Sequence, residues 1–276
     1  MIDVNDIKSY WNNKQPGRKI AGNVNENNDP KKFFELIDSY RFHKNNYDYL
    51  INGEFFKYSD YEKKEILEIG CGLGADIQKF AESGAKVYAI DAAESSLNTL
   101  EKRFNLINEK FDFKVADFRS IPYENSKFDL VYSFGVLHHS PWIKEGIAEA
   151  SRVLKPKGHL IIMLYHKGFK YYIKKIFFRG IIQGKLFKKN IQEIIDTYTE
   201  EFGGSPTTLV FSKNEAKELL KEHFIIEDLR VFKLGDNIKI PFLGEFHILR
   251  FILPNFLYKF ISNKVGWNLM IKAIKK

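Results

Sequence analysis

The chain reads as an α/β protein built on a parallel sheet with helices on both faces. Three observations predict this. Between residues 65 and 165, short apolar runs alternate with stretches of helical length, the pattern of successive strand–helix–strand units. A glycine-rich turn, Gly70-Cys71-Gly72-Leu73-Gly74, joins the first run to the first helix. The second run closes on an acid, Asp91.

Residues 1–62 read as an N-terminal cap of polar helices and loops, with a flexible Asn-rich loop at 23–30. The core, 63–165, follows as strand 65–70, helix 75–83, strand 86–91, helix 94–106, strands 112–117 and 128–134, helix 142–153, and a turn at 155–158 into strand 159–165. The alternation lapses over 166–222, a helical, basic and then acidic segment read as an inserted lid. Residues 223–276 return to the sheet through strands 224–234 and 266–274, separated by an insert, 235–264, with Pro241 and Pro254 as breakers.

At 276 residues the chain holds one large domain or two small ones. Apolar residues at 44% and charged residues at 28% describe an ordinary globular protein and exclude a disordered or collagen-like one. The single cysteine, Cys71, excludes a disulfide framework and fits a reducing compartment. With one Cys and seven scattered His, no metal-ligand spacing appears, and no metal is expected. No apolar run approaches the roughly 18 residues of a membrane span, and the first fifteen residues lack the apolar core of an export signal. The expected location is cytoplasmic.

The net charge of +8 is unevenly spread. Eight Lys/Arg and no acid lie between His166 and Gln192, and six more, again without an acid, between Phe246 and Lys276; the rest of the chain carries −6. An acidic body with two basic, aromatic-rich segments points to an anionic partner. Because no nucleic-acid recognition motif accompanies the charge, an anionic membrane face or a phosphate-linked substrate is the expected one. In the first segment, Phe169, Ile173, Ile176 and Phe177 fall at α-helical spacing, with Lys170, Lys174 and Lys175 to one side and Arg179 beyond. That pattern describes either a lid helix packing its apolar stripe on the core or a helix that lies on a membrane at its inner face.

Glycines in a strand-to-helix turn permit a sharp bend and a close ligand approach. Asp91, 17 residues after Gly74, stands where a carboxylate accepts ribose hydroxyls. A tight turn needs glycines without any ligand as well, but the acid at the end of the next strand favours a nucleotide. The run also fits a dinucleotide fingerprint ending in Ala75. Glu68 argues against that, since a carboxylate two residues before the first glycine would repel a pyrophosphate and suits a cationic ligand instead.

At this point the sequence resembles the class I S-adenosylmethionine (SAM)-dependent methyltransferases. Leu67-Glu-Ile-Gly-Cys-Gly-Leu-Gly74 resembles their first motif and Asp91, followed by Ala92, their ribose-binding acid. Ala116-Asp117-Phe118 resembles the adenine-contacting segment, and the run from Phe128 through Phe134 to His139 the fourth-strand motif. Arg152-Val-Leu-Lys-Pro-Lys-Gly158 resembles the turn into the fifth strand, with Lys157 in place of a glycine. The resemblance implies a Rossmann-like seven-stranded methyltransferase sheet whose last strand is antiparallel. It also implies SAM as cofactor, S-adenosylhomocysteine as product, and a small-molecule, lipid-linked or glycan-linked acceptor. Glu68, Gly70, Cys71, Gly72, Gly74, Asp91, Ala92, Asp117, Phe118 and Phe134 are then the expected cofactor residues.

Methyl transfer from a sulfonium needs alignment first and a base only if the acceptor must lose a proton. His138 and His139 follow the fourth strand, where a base would serve a hydroxyl acceptor and where a packing role at a helix entry is the alternative. Tyr165 and His166, at the end of the fifth strand, either touch substrate or anchor the lid. Cys71 reads as packing rather than as a nucleophile, since no His lies near it in sequence. Two rivals to a methyltransferase stay open: a SAM-binding or membrane-associated regulatory module without turnover, and an NAD-dependent oxidoreductase, against which Glu68 and the fourth-strand motif count.

Overall fold

Seven strands form one sheet in a computed structural model that describes residues 3–43, 53, 55–200, 204–234, 237–240, 244–247 and 252–276. The strands are β1 (Glu65–Ile69), β2 (Lys86–Asp91), β3 (Asp112–Val115), β4 (Phe128–Phe134), β5 (Leu154–Tyr165), β6 (Phe224–Phe232) and, last in the chain, β9 (Asn268–Lys275). Their spatial order is β3-β2-β1-β4-β5-β9-β6. The first five run parallel, and β9 pairs antiparallel with both β5 and β6. The expected antiparallel last strand is therefore present.

Successive strand residues point to opposite faces, and here both faces are buried. Leu67, Ile69, Val131, Leu160 and Ile162 pack on one side against α5 (Ile143–Val153) and α7 (Lys213–Leu220). Ile66, Val87, Leu130 and Ile161 pack on the other against α3 (Ala75–Glu82) and α4 (Glu94–Ile107). Burial on both faces explains why the strands read as continuous apolar runs rather than alternating ones.

The N-terminal residues form α1 (Val4–Asn13), capped by Asp3, and α2 (Pro30–Arg41), capped by Asp29 with proline at its first turn. Phe33, Phe34 and Ile37 of α2 close over Leu73 of the glycine loop. Arg103 of α4 is 1% exposed; it donates to Asp38 at 2.9 Å and lies 4.3 Å from the Phe34 ring, tying α2 to the core. The loop read as flexible at 23–30 is held by the Asn25 carboxamide, which accepts from the backbone of Asn27 and Asn28, and by an Arg18–Glu26 ion pair.

Three further differences concern the second half. β5 begins at Leu154, straight from α5, and carries residues 155–158 within it, with Lys157 in the left-handed region at φ +62°. The insert holds a hairpin, β7 (Asn237–Ile240) with β8 (Gly244–His247), and α8 (Asn255–Val265), which starts at Pro254; Pro241 lies outside the described residues. In residues 166–222, read above as a lid, α6 (Ile191–Tyr198) follows a long helix, Lys170–Ile182, wound with i→i+5 bonding. That winding aligns positions five apart rather than four, so the apolar stripe expected at α-helical spacing does not form. Ile173 and Phe177 are exposed and Lys175 is buried.

Candidate functional site

The strand order reverses between β1 and β4, and the strand ends there border a cavity of about 420 Å³, the crevice where open parallel sheets take ligands. β1 ends at Ile69, level with Ile90 of β2, and the Gly70 N–H donates to the Ile90 carbonyl at 2.8 Å. The chain then turns through left-handed φ values at Gly70 (+75°), Gly72 (+53°) and Gly74 (+78°). A Cβ on Gly70 would meet Val136 Cγ2 at 2.4 Å, and one on Gly74 would meet Leu100 Cδ1 at 2.2 Å. Nothing lies within 4 Å of the same position on Gly72. Two of these glycines let protein approach protein, and the third leaves its backbone open to a ligand.

Asp91 accepts the Ala93 N–H at 2.9 Å and the Gly72 N–H at 3.3 Å, so it sets the loop's shape. Burial raises its pKa, partly offset by those bonds. Glu68 is 3% exposed and its Oε2 has no hydrogen-bond partner. Burial, then the neighbouring Asp76 carboxyl, push its pKa well above the usual carboxylate range, against the pull of the Arg41 guanidinium. A buried carboxyl in a cavity wall with a spare oxygen can receive a cationic group. Burial, with the nearby Asp91 and Glu68, pushes the Cys71 thiol well up, so it remains protonated and serves as packing.

Ala92, Asp117, Phe118 and Phe134 line the same cavity, so the ten residues expected around the cofactor surround one space. Burial pulls the Asp117 pKa up, but Arg119, 2.7 Å away, holds it below its ordinary value. Arg119 in turn lies over the Trp142 ring at 4.3 Å. The Arg41 guanidinium sits 3.9 Å from the centre of the Phe134 ring and pairs with Asp76 at the start of α3.

The two histidines part company. His139 lines the cavity; His138 is fully buried behind it, 4.3 Å from the His139 ring and 4.0 Å from that of Tyr165. Burial lowers both pKa values, and for His139 the Glu200 carboxylate works the other way. His139 Nδ1 lies 3.3 Å from the Thr207 carbonyl, and its Nε2 lies 3.6 Å from Glu200 Oε1. Tyr165 also lines the cavity and donates its hydroxyl to Glu200 Oε1 at 3.1 Å. His166 points elsewhere, with Nδ1 2.9 Å from the Gly266 carbonyl at the entry to β9.

Sequence reasoning missed Glu200 and Arg41. Trp11 stands 4.9 Å from the His139 ring, edge to face. No local pattern marks Glu200, which reaches the site because residues 207–211 double back beside β5, where Leu209 N–H donates to the His138 carbonyl and Phe211 N–H to that of Tyr165. Among the described residues, no group of three or more His, Cys, Asp or Glu is placed to hold a metal ion.

Residues 67–162 match the family described as "Methyltransferase domain". The sterol 4-C-methyltransferase strm-1 of Caenorhabditis elegans is 32% identical over 103 residues, 37% of this chain and 31% of that protein. A ubiquinone biosynthesis O-methyltransferase of Rickettsia canadensis is 26% identical over 199 residues, 71% of this chain and 80% of the relative. Apart from that one, the chain spans from about a third to a little over half of the first curated relatives it matches. Among solved structures, the PH0226 protein of Pyrococcus horikoshii OT3 superposes with a TM-score of 0.55 at 17% identity, over 98% of this chain and 99% of that one. A SAM-dependent methyltransferase of Methanosarcina mazei superposes with a TM-score of 0.53 at 21% identity, over 78% and 95%. These likenesses share the sheet and its connections. The match over the glycine loop and the strands that carry the cavity makes residues 67–162 a methyltransferase domain, and the solved structures show its fold.

Proposed function

We propose that the chain transfers a methyl group from SAM to a proton-bearing oxygen or nitrogen of a small-molecule or lipid-linked acceptor. The observation that carries the second half of this reading is the facing pair His139 and Glu200. A carbonyl only accepts, so the contact with Thr207 assigns the ring hydrogen of neutral His139 to Nδ1 and leaves the Nε2 lone pair toward Glu200. Tyr165 already donates to the same carboxylate oxygen. Two acceptors 3.6 Å apart call for a shared proton, and an acceptor hydroxyl or amine brings one.

The cavity residues fit the cofactor. Glu68, with its unpartnered oxygen, would take the ammonium; Asp91, in the cavity wall at the end of β2, the ribose hydroxyls; Asp117 and Phe118 the adenine; and the open backbone at Gly72 the closest approach. Bound there, SAM supplies a methyl already activated on a sulfonium. His139 Nε2 would receive the proton as the acceptor's O–H or N–H bond gives way to the new bond to carbon. Glu200 would stabilise the imidazolium so formed, and Trp11 and Tyr165 would wall the site from water.

The relatives' names include O-, N- and C-methyltransferases, so they do not choose the acceptor atom; the His139–Glu200 pair favours the first two. Calorimetry tests the cofactor half. SAM should bind, and Asp91→Ala should weaken it by about 1.5–3 kcal/mol, the worth of hydrogen bonds at a charged group. A chain that ignores SAM, or an Asp91→Ala variant that binds it as well as the wild type, removes the assignment.

A further inference from the structure

The helix Lys170–Ile182 inverts the usual arrangement of a surface helix. Its i→i+5 winding lines up Tyr172, Phe177 and Ile182, with Ile173 and Phe178 beside them, and all five are exposed, Ile182 at 63%. Phe187, just beyond the helix, is 93% exposed. The lysines turn inward instead. Lys175 donates to the Tyr198 carbonyl, and Lys170 lies 4.5 Å from the centre of the Trp267 ring. A helix folded for water alone would place these groups the other way round, so the outer face is built for something other than water.

The surroundings say what that is. From residue 166 through 192 there is no acid, and Arg179 and Lys188 are exposed within the segment. Beside the start of the helix, the Gly168 backbone abuts Val265 and Gly266 at the end of α8, a helix that exposes Phe256 and Phe260, four residues apart. A second copy of the chain would bring a basic face against a basic face, which like charges oppose. No helix among the described residues is long and apolar enough to cross a membrane. An apolar stripe flanked by Lys and Arg is the form that lies in the plane of a bilayer interface.

We propose that the outer face of residues 172–187 is a docking surface for an anionic lipid bilayer, with its aromatic and branched side chains at the acyl boundary and its basic residues at the lipid phosphates. The Lys175–Tyr198 contact connects this face to the segment that carries Glu200, so docking would hold the lid of the cavity at the membrane. The surface stands independently of the acceptor and the cofactor.

Co-sedimentation of the full chain with vesicles of phosphatidylcholine alone, and of phosphatidylcholine with phosphatidylglycerol, tests the proposal. The protein should pellet with the phosphatidylglycerol vesicles only, and raising salt from 0.1 M to 1 M, which shortens the Debye length from about 10 Å to about 3 Å, should weaken the binding. A Phe178→Ser/Ile182→Ser variant should lose roughly tenfold or more in affinity, and an Arg179→Gln/Lys188→Gln variant a similar factor. Both should keep the wild-type SAM affinity, since the four side chains lie outside the cavity lining, and the Phe178→Ser/Ile182→Ser variant should keep the thermal midpoint as well, since both of its side chains are exposed. Absence of binding to phosphatidylglycerol vesicles at low salt overturns the proposal, as does unchanged binding by both variants. So does light scattering that finds a lipid-free dimer dissolved by the Phe178→Ser/Ile182→Ser change, because a second copy would then be the occupant.

Discussion

His138 and His139 are adjacent in sequence and have opposite uses in space. The short turn after β4 sends one ring into the protein and the other to the cavity wall. The pair was legible in the sequence as a candidate, but which ring faces the ligand depends on that turn. Glu200 was not legible at all, because it reaches His139 only where the chain returns to bond Leu209 N–H to the His138 carbonyl and Phe211 N–H to that of Tyr165. This pairing has a spectroscopic consequence. Burial lowers the His139 pKa below its ordinary 6.5 and the Glu200 carboxylate raises it, so Glu200→Gln should move it further down. Ring-resonance NMR titration of the SAM-free protein reads this directly; a His139 pKa that does not move would separate Glu200 from the base. With any hydroxyl or amine acceptor that turns over, His139→Gln should cut S-adenosylhomocysteine release by about 100-fold and leave SAM affinity as it was.

At the scale of elements, the sequence was read most accurately where one rule applied at a time. Four of the five parallel strands announced themselves as apolar runs because both faces of the sheet are covered there, whereas the edge strand β3 is only partly buried; the helices kept α-helical spacing. The lid helix misled because its i→i+5 winding breaks the spacing by which buried faces are recognised. The glycine loop was recognised as a unit, yet its glycines do different work. Gly74→Ala places a Cβ 2.2 Å from Leu100 Cδ1 at a left-handed φ, and should destabilise the fold by about 2–3 kcal/mol. Gly72→Ala meets nothing within 4 Å, so its cost in stability should be limited to about 1–2 kcal/mol of backbone strain. Its Cβ would instead occupy space open to a ligand and reduce SAM affinity tenfold or more, roughly 1.4 kcal/mol. Urea unfolding and calorimetry on the two variants tell these roles apart; equal effects on both measurements would mean that Gly72 is structural too.

For the whole molecule, composition revealed that positive charge is gathered in two segments, but not that part of it is turned inward. Burial, then neighbouring Lys175, lower the Lys170 pKa to about 7 despite Glu200, with Lys233 and Lys174 pressing the same way; burial and Arg179 lower that of Lys175 to about 8. In the unfolded chain both would hold their protons to about 10.4. Between pH 7 and that value the unfolded state therefore binds more protons than the folded one, and these groups add stability as pH rises. Well below pH 7 both states are protonated, and the burial of the charge is a constant cost. Other buried groups have shifted pKa values too, including Glu68 and Cys71, whose raised values act in the opposite sense; a comparison with a variant that shares them removes their contribution. Lys170→Met keeps most of the side chain's length and drops its charge. It should unfold at a higher temperature than the wild type at pH 7, and the difference should shrink steadily toward pH 9.5 as the wild-type lysine sheds its proton. Thermal unfolding at four or five pH values across that range measures the difference directly. A gap that stays constant with pH would mean that Lys170 keeps an ordinary pKa in the folded protein, and that the inward turn of the lid's charge costs the fold nothing.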